Sequence, residues 1–172
     1  MNWGMIKNLI FIVFVICCAF SCSKPAPQLP SNKGSNVDEN TAKLLEFNKE
    51  LALKEDSALQ LYVEKQNGFA KNKIGFWYKI IHSTQGSFYK QNDYCSFEYK
   101  MLMINGKLLQ SKQQKIVIGK KEVVTGLEEA IKMMHKGESG IFIIPWYLAY
   151  GMDGNKPLIP PYTSLIFQVR LF

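Results

Sequence analysis

Gly137–Phe172, GESGIFIIPWYLAYGMDGNKPLIPPYTSLIFQVRLF, is the stretch whose reading decides the fold. An apolar run, Ile141–Ile144, enters a loop crowded with aromatics, Gly and Pro. The chain leaves the loop in strict alternation, with Leu165, Phe167, Val169 and Leu171 on one face, the period of a strand with one buried side. Two strands bracketing an aromatic loop build a mouth over a pocket.

Upstream, the period alternates between strand and helix. Ile74–His82 and Tyr94–Ile104 read as strands rich in aromatic and branched residues. Asn105-Gly106 is a hairpin signal, with positive φ expected at both residues. Lys107–Gln110 returns, and Lys115–Ile118 is a further short strand. Between Gly119 and Gly137 lies the one helix of this half. Thr125 and Glu128 are spaced as a capping box, and Leu127, Ala130, Ile131 and Met134 form one apolar face. Strands, one helix, then strands predict an α+β domain, an antiparallel sheet wrapped around a single short helix.

Before Ile74 the organisation differs. Lys7 precedes a short apolar run, Leu9–Phe20, of signal-peptide length, and Met5 is an alternative start. Ala19-Phe20-Ser21-Cys22 has the small-residue-then-Cys ending of a bacterial lipobox, with Ala19 where Leu is usual. It implies cleavage before Cys22 and acylation of its thiol, with the periplasmic side of the outer membrane as the expected location in the cell envelope; the leaflet stays open, and a soluble secreted protein cleaved near Ser21 is the alternative. Residues 1–21 are then the lipoprotein signal peptide. Residues 22–36 are a flexible tether, too poor in apolar residues to pack. In residues 37–68, Leu44, Leu45, Leu51, Ala52, Ala58, Leu59 and Tyr62 recur at helical spacing. Asn48 and Glu55 interrupt that stripe, and Asp56-Ser57 divides the segment into two helices. Two readings stay open: an arm for dimerisation or for holding clients, or a helix packed on its own domain.

The chain has 172 residues, 47% hydrophobic and 20% charged, which excludes wholesale disorder. Its net charge of +7 comes from scattered Lys, with no basic stripe or base-stacking motif, so nucleic acid is not an expected partner. Cys17, Cys18 and Cys22 lie at the end of the leader and only Cys95 lies in the body, so no internal disulfide is expected. No phosphate loop, nucleophile elbow or Cys-x-x-Cys is present, His82 and His135 are the only histidines, and neither metal nor cofactor is expected.

Leu148–Gly151 (LAYG), Ile159–Pro161 (IPP), Phe167 and the segment Gly119–Glu129 (GKKEVVTGLEE) resemble FK506-binding-protein-type (FKBP) peptidyl-prolyl isomerases. The resemblance covers residues 74–172 and implies catalysis of X–Pro rotation in proline-containing polypeptide clients. Rotation breaks no covalent bond, and unaided it takes tens to hundreds of seconds. The twisted amide is less polarised than the planar one, so a water-poor apolar pocket favours it differentially.

By that resemblance Tyr150 donates its hydroxyl to a substrate carbonyl and Val124 its backbone N–H. Tyr99 and Phe167 are pocket aromatics. Leu109, Gln110, Val123, Leu127 and Ile159 complete the substrate-binding wall. Leu109, Gln110 and Leu127 stand where many members carry Phe, Asp and Trp, which removes aromatic wall, polar partner and aromatic floor together. Gly75–Tyr78 (GFWY), Glu98-Tyr99, Ile104–Lys107 (INGK) and Ala130–Lys136 (AIKMMHK), with the lipobox, are similar to the gliding-motility-associated FKBP-type lipoproteins of Bacteroidetes. That likeness implies a folding factor serving an envelope motility or secretion apparatus.

Overall fold

The computed structural model describes residues 39–172, of which Lys43–Phe172 form one compact unit. The leader, Cys22 and the tether lie outside the described residues. The elements are α1 (Glu39–Glu64), β1 (Ala70–Lys71), β2 (Trp77–His82), β3 (Tyr94–Met103), β4 (Leu108–Val117), α2 (Thr125–Lys132), β5 (Ser139–Ile144), a 3-10 turn (Trp146–Leu148) and β6 (Leu165–Leu171). The six strands form one sheet in the order β1-β2-β5-β6-β3-β4, with every pair antiparallel.

Successive strand residues face opposite sides of the sheet, and that alternation divides the core. On one face Phe97, Tyr99 and Met101 of β3 join Phe142 and Ile144 of β5 and Leu165, Phe167 and Val169 of β6. These pack against Leu127, Ala130 and Ile131 of α2 and Met134 just past its end. Register aligns the largest of them: Phe167 is opposite both Met101 and Phe142. Gly126 lets α2 come close, since a Cβ there would collide with Ile144 Cγ2. The other face carries Trp77, Ile143 and Ile166, covered by Leu59 and Val63 of α1. The sheet is therefore flanked on both sides, and the upstream helix packs on its own domain through its C-terminal half.

Several local expectations are corrected. The segment around Asp56 is one continuous helix of 26 residues, because Asp56 spends its carboxylate on tertiary partners instead of breaking the turn. β4 is a single 10-residue strand in place of two short ones. Ladder hydrogen bonds along β3 carry it through the polar run Ser111–Lys115. At the hairpin only Gly106 has positive φ (84°), and Asn105 does not. Asn105 Oδ1 instead accepts from Lys107 N–H at 3.0 Å, and a register shift between Met101 and Leu102 absorbs the turn.

The capping box of α2 does not form. The N-cap is Val124, extended and without a side-chain cap. That makes Thr125 the first helical residue, and Glu128 reaches back to accept the Gly119 N–H at 2.5 Å.

Candidate functional site

Four elements converge on the mouth opened by the loop between β5 and β6. Tyr99 rises from the inward face of β3. Leu109 and Gln110 begin β4. Val123 and Val124 lead into α2, whose first turn presents Leu127. The loop itself supplies Tyr150 and Ile159, and β6 supplies Phe167.

The fold gathers all of these positions. Tyr99, Leu127, Ile159 and Phe167 are buried in one cluster, and Leu109, Val123, Val124 and Tyr150 are half-buried against it. The Tyr99 ring centroid is 5.8 Å from that of Phe167. Leu127 and Ile159 are buried aliphatic members of this cluster.

The polar groups are few and placed. Tyr99 donates its hydroxyl to Gln110 Oε1 at 3.0 Å. Gln110 therefore keeps a polar partner in place where a lost one was expected, because an amide oxygen accepts as a carboxylate does. Val124 C=O accepts from Leu127 and Glu128 N–H. Its own N–H makes no hydrogen bond among the described residues and remains available to a ligand carbonyl.

Burial pushes the Tyr150 hydroxyl pKa up, against a smaller downward pull from the neighbouring Asn155 side chain. Burial also raises that of Tyr99, with Tyr150 nearby adding to the effect. Both phenols are thus protonated donors at neutral pH. Among the described residues the hydrogen-bond partners of the Tyr99 and Tyr150 hydroxyls are amides, Gln110 and Asn155, so the arrangement suits binding an apolar ligand better than proton transfer. An open groove of about 700 Å³ lies on the sheet beside Ile81, Lys100, Ile141 and Arg170, and Tyr99 is the one residue of the mouth that also lines it. Its lining mixes charges of both signs and lacks Tyr150.

Two polar features escape sequence reasoning. Glu138, 3% exposed, gathers Ser83 Oγ, Thr84 N–H and His135 N–H, with His135 Nδ1 2.9 Å away. This clasp ties the loop before β3 to the turn before β5, and a lone Glu after Gly137 offers no periodic signal for it. The second feature is the contact of Tyr147 and Ser164 with α1. Its one visible trace is Glu55 interrupting an apolar stripe.

The structure thus presents an antiparallel sheet wrapped on a short helix, with an aromatic loop and two phenolic hydroxyls gathered at one apolar cluster. The chain belongs to the FKBP-type peptidyl-prolyl cis-trans isomerase family, whose model matches residues 85–172, just over half of its length. It is 33% identical over 100 residues to a peptidyl-prolyl cis-trans isomerase Mip of Coxiella burnetii, covering 56% of this chain and 44% of that protein. It is 32% identical over 83 residues to a macrophage infectivity potentiator of Trypanosoma cruzi, covering 46% and 42%. The matches thus span less than half the length of these curated relatives.

Among solved structures, a peptidyl-prolyl cis-trans isomerase of Pseudomonas syringae superposes with a TM-score of 0.63 at 24% identity. It covers 72% of this chain and 92% of that one, and shows the fold. The N-terminal domain of FKBP42 from Arabidopsis thaliana gives a TM-score of 0.52 at 27% identity, covering 56% and 83%.

Proposed function

We propose that this chain is an active peptidyl-prolyl cis-trans isomerase. The observation that carries the reading is the convergence of Tyr150, Tyr99, Phe167, Leu127 and Ile159 with an unpaired Val124 N–H at one mouth of a family domain. A proline-containing segment enters the apolar cluster, Val124 N–H and Tyr150 hydroxyl take its carbonyls, and the water-poor floor raises the planar amide relative to the twisted one. A proline-peptide isomerisation assay on the full chain in detergent tests this. Acceleration at micromolar protein is expected, and none would end the catalytic reading. Tyr150→Phe is expected to lower kcat/KM by about three- to tenfold, the worth of one hydrogen bond. An unchanged rate would remove Tyr150 from the assigned role.

The same reading extends to location. The chain is a lipoprotein of the cell envelope, held through an acylated Cys22 and acting on proline-containing envelope proteins, among them components of a gliding-motility or secretion apparatus. The lipobox supports the anchor, and the short segments shared with Bacteroidetes gliding lipoproteins support the setting. Cys22→Ala is expected to move most of the protein from the membrane to the soluble fraction. Unchanged fractionation would refute the anchor.

A second reading, a non-catalytic module that holds client or partner chains, draws on two observations. Leu127 and Leu109 are aliphatic where many family members carry an aromatic floor and wall, and Leu44, Leu45 and Phe47 of α1 are each more than half exposed. Client binding without acceleration in the same assay would favour it.

A further inference from the structure

The loop that carries Tyr150 and Ile159 begins at Trp146 and returns to the sheet at Ser164. Both ends meet α1, an element outside the family-matched residues 85–172. Tyr147 donates its hydroxyl to Asp56 Oδ1 at 3.1 Å. The other oxygen of Asp56 is taken by Lys71 Nζ at 2.5 Å, so this carboxylate is held between β1 and the loop. One residue earlier, Glu55 accepts the hydroxyl of Ser164. Ser164 is buried, and its Oγ also accepts the Trp146 N–H at 3.0 Å. Ser164 therefore joins the two ends of the loop to each other and both to α1.

The path from these anchors to the site is short. Gly151, next to Tyr150, donates its N–H to Trp146 C=O at 2.8 Å and accepts from Tyr162 N–H at 3.1 Å. The Trp146 ring stands edge-on to Tyr147 at 5.5 Å and to Tyr162 at 5.0 Å. A shift of Tyr147 or Ser164 is thus passed through Trp146 to the backbone beside the Tyr150 hydroxyl.

We propose that Glu55 and Asp56 of α1 are positioning residues for the proline-peptide site, a strut from the upstream helix that sets the loop bearing Tyr150 and Ile159. The proposal rests on the isomerase reading for its effect on turnover, but not for its effect on the loop. It also accounts for a sequence feature. Glu55 breaks the apolar stripe of α1 because at that turn the helix faces a serine at the loop base and not the core. Small misplacements of a holding group cost rate steeply, since only a correctly oriented substrate reacts.

Hydrogen exchange of the full chain in detergent separates the two effects. Asp56→Ala removes the acceptor, and Tyr147→Phe removes the donor while leaving α1 intact. In both variants amides of residues 146–164 are expected to exchange about tenfold faster, the loss of a charge-assisted hydrogen bond. Those of β3 and β6 are expected to stay at the wild-type rate. Asp56→Asn retains an oxygen toward Tyr147 and is expected to lie near wild type, and kcat/KM for a proline peptide is expected to fall in the same order. Unchanged loop exchange in both variants, exchange raised equally throughout the domain, or a loosened loop with unchanged turnover would each overturn the proposal. A loosened loop in a protein whose wild type does not isomerise proline peptides would keep the strut and end the isomerase reading instead.

Discussion

Phe167→Ala is expected to lower the unfolding free energy by about 3–5 kcal/mol, the range for truncating a fully buried aromatic. Phe167 sits 1% exposed on β6, which pairs with both β3 and β5. Its neighbours across the ladder are Met101 and Phe142, and its ring contacts Tyr99. The surrounding side chains are held by the sheet and by α2, so the cavity has little room to collapse. Chemical denaturation should show the midpoint falling with the slope nearly unchanged. A loss below about 1 kcal/mol would mean the site relaxes freely. The same variant removes a wall of the mouth, so proline-peptide binding should weaken even where the protein remains folded.

Glu138→Ala is expected to cost about 1–3 kcal/mol, because it removes a buried carboxylate shared by three partly buried donor contacts. The groups left behind are the N–H of His135, the N–H of Thr84 and the hydroxyl of Ser83. The wild type should show a matching pH dependence. Burial by itself raises the Glu138 pKa, but the hydrogen bonds from His135, Ser83 and Thr84 outweigh it, and the net shift is downward from 4.5.

A carboxylate depressed in the folded state binds its proton more tightly when unfolded. Its stabilisation is therefore present above the unfolded value and is lost as pH falls through the lower folded value. Denaturation midpoints should thus decline below pH 4.5 in the wild type, with a shallower decline in Glu138→Gln. Parallel curves for the two proteins would show that Glu138 carries none of the acid sensitivity.

Both residues lie in the part of the chain that is easiest to read, yet only one can be found there. Phe167 belongs to a period-2 alternation, which a sequence displays directly. Glu138 is defined by donors from Ser83 and Thr84, more than fifty positions away, and nothing local announces such partners. The mouth is legible for a different local reason. Tyr150, Val124, Ile159 and Leu127 lie in short segments whose order and spacing are family marks, and the fold brings them together. Gln110 shows the limit of reading a substitution in isolation. It was expected to remove a polar partner, and it supplies the acceptor for Tyr99.

α1 shows the limit more fully. Its helical period is plain, but the period does not tell whether a stripe meets its own domain or another chain. The structure gives one answer for each half: Leu59 and Val63 pack on Trp77, Ile143 and Ile166, while Leu44, Leu45 and Phe47 stay exposed.

The residues alone were enough for the α+β class, the single helix inside the sheet, the family and the membership of the mouth. Each of these is written in periodicity or in short contiguous motifs. Tertiary structure decided the continuity of α1 and β4, the buried clasp at Glu138, and the attachment of the Tyr150 loop to Glu55 and Asp56. Those features are contacts between segments far apart in the chain, made by polar groups that carry no period. Their partners exist only once the sheet has brought them within hydrogen-bond reach.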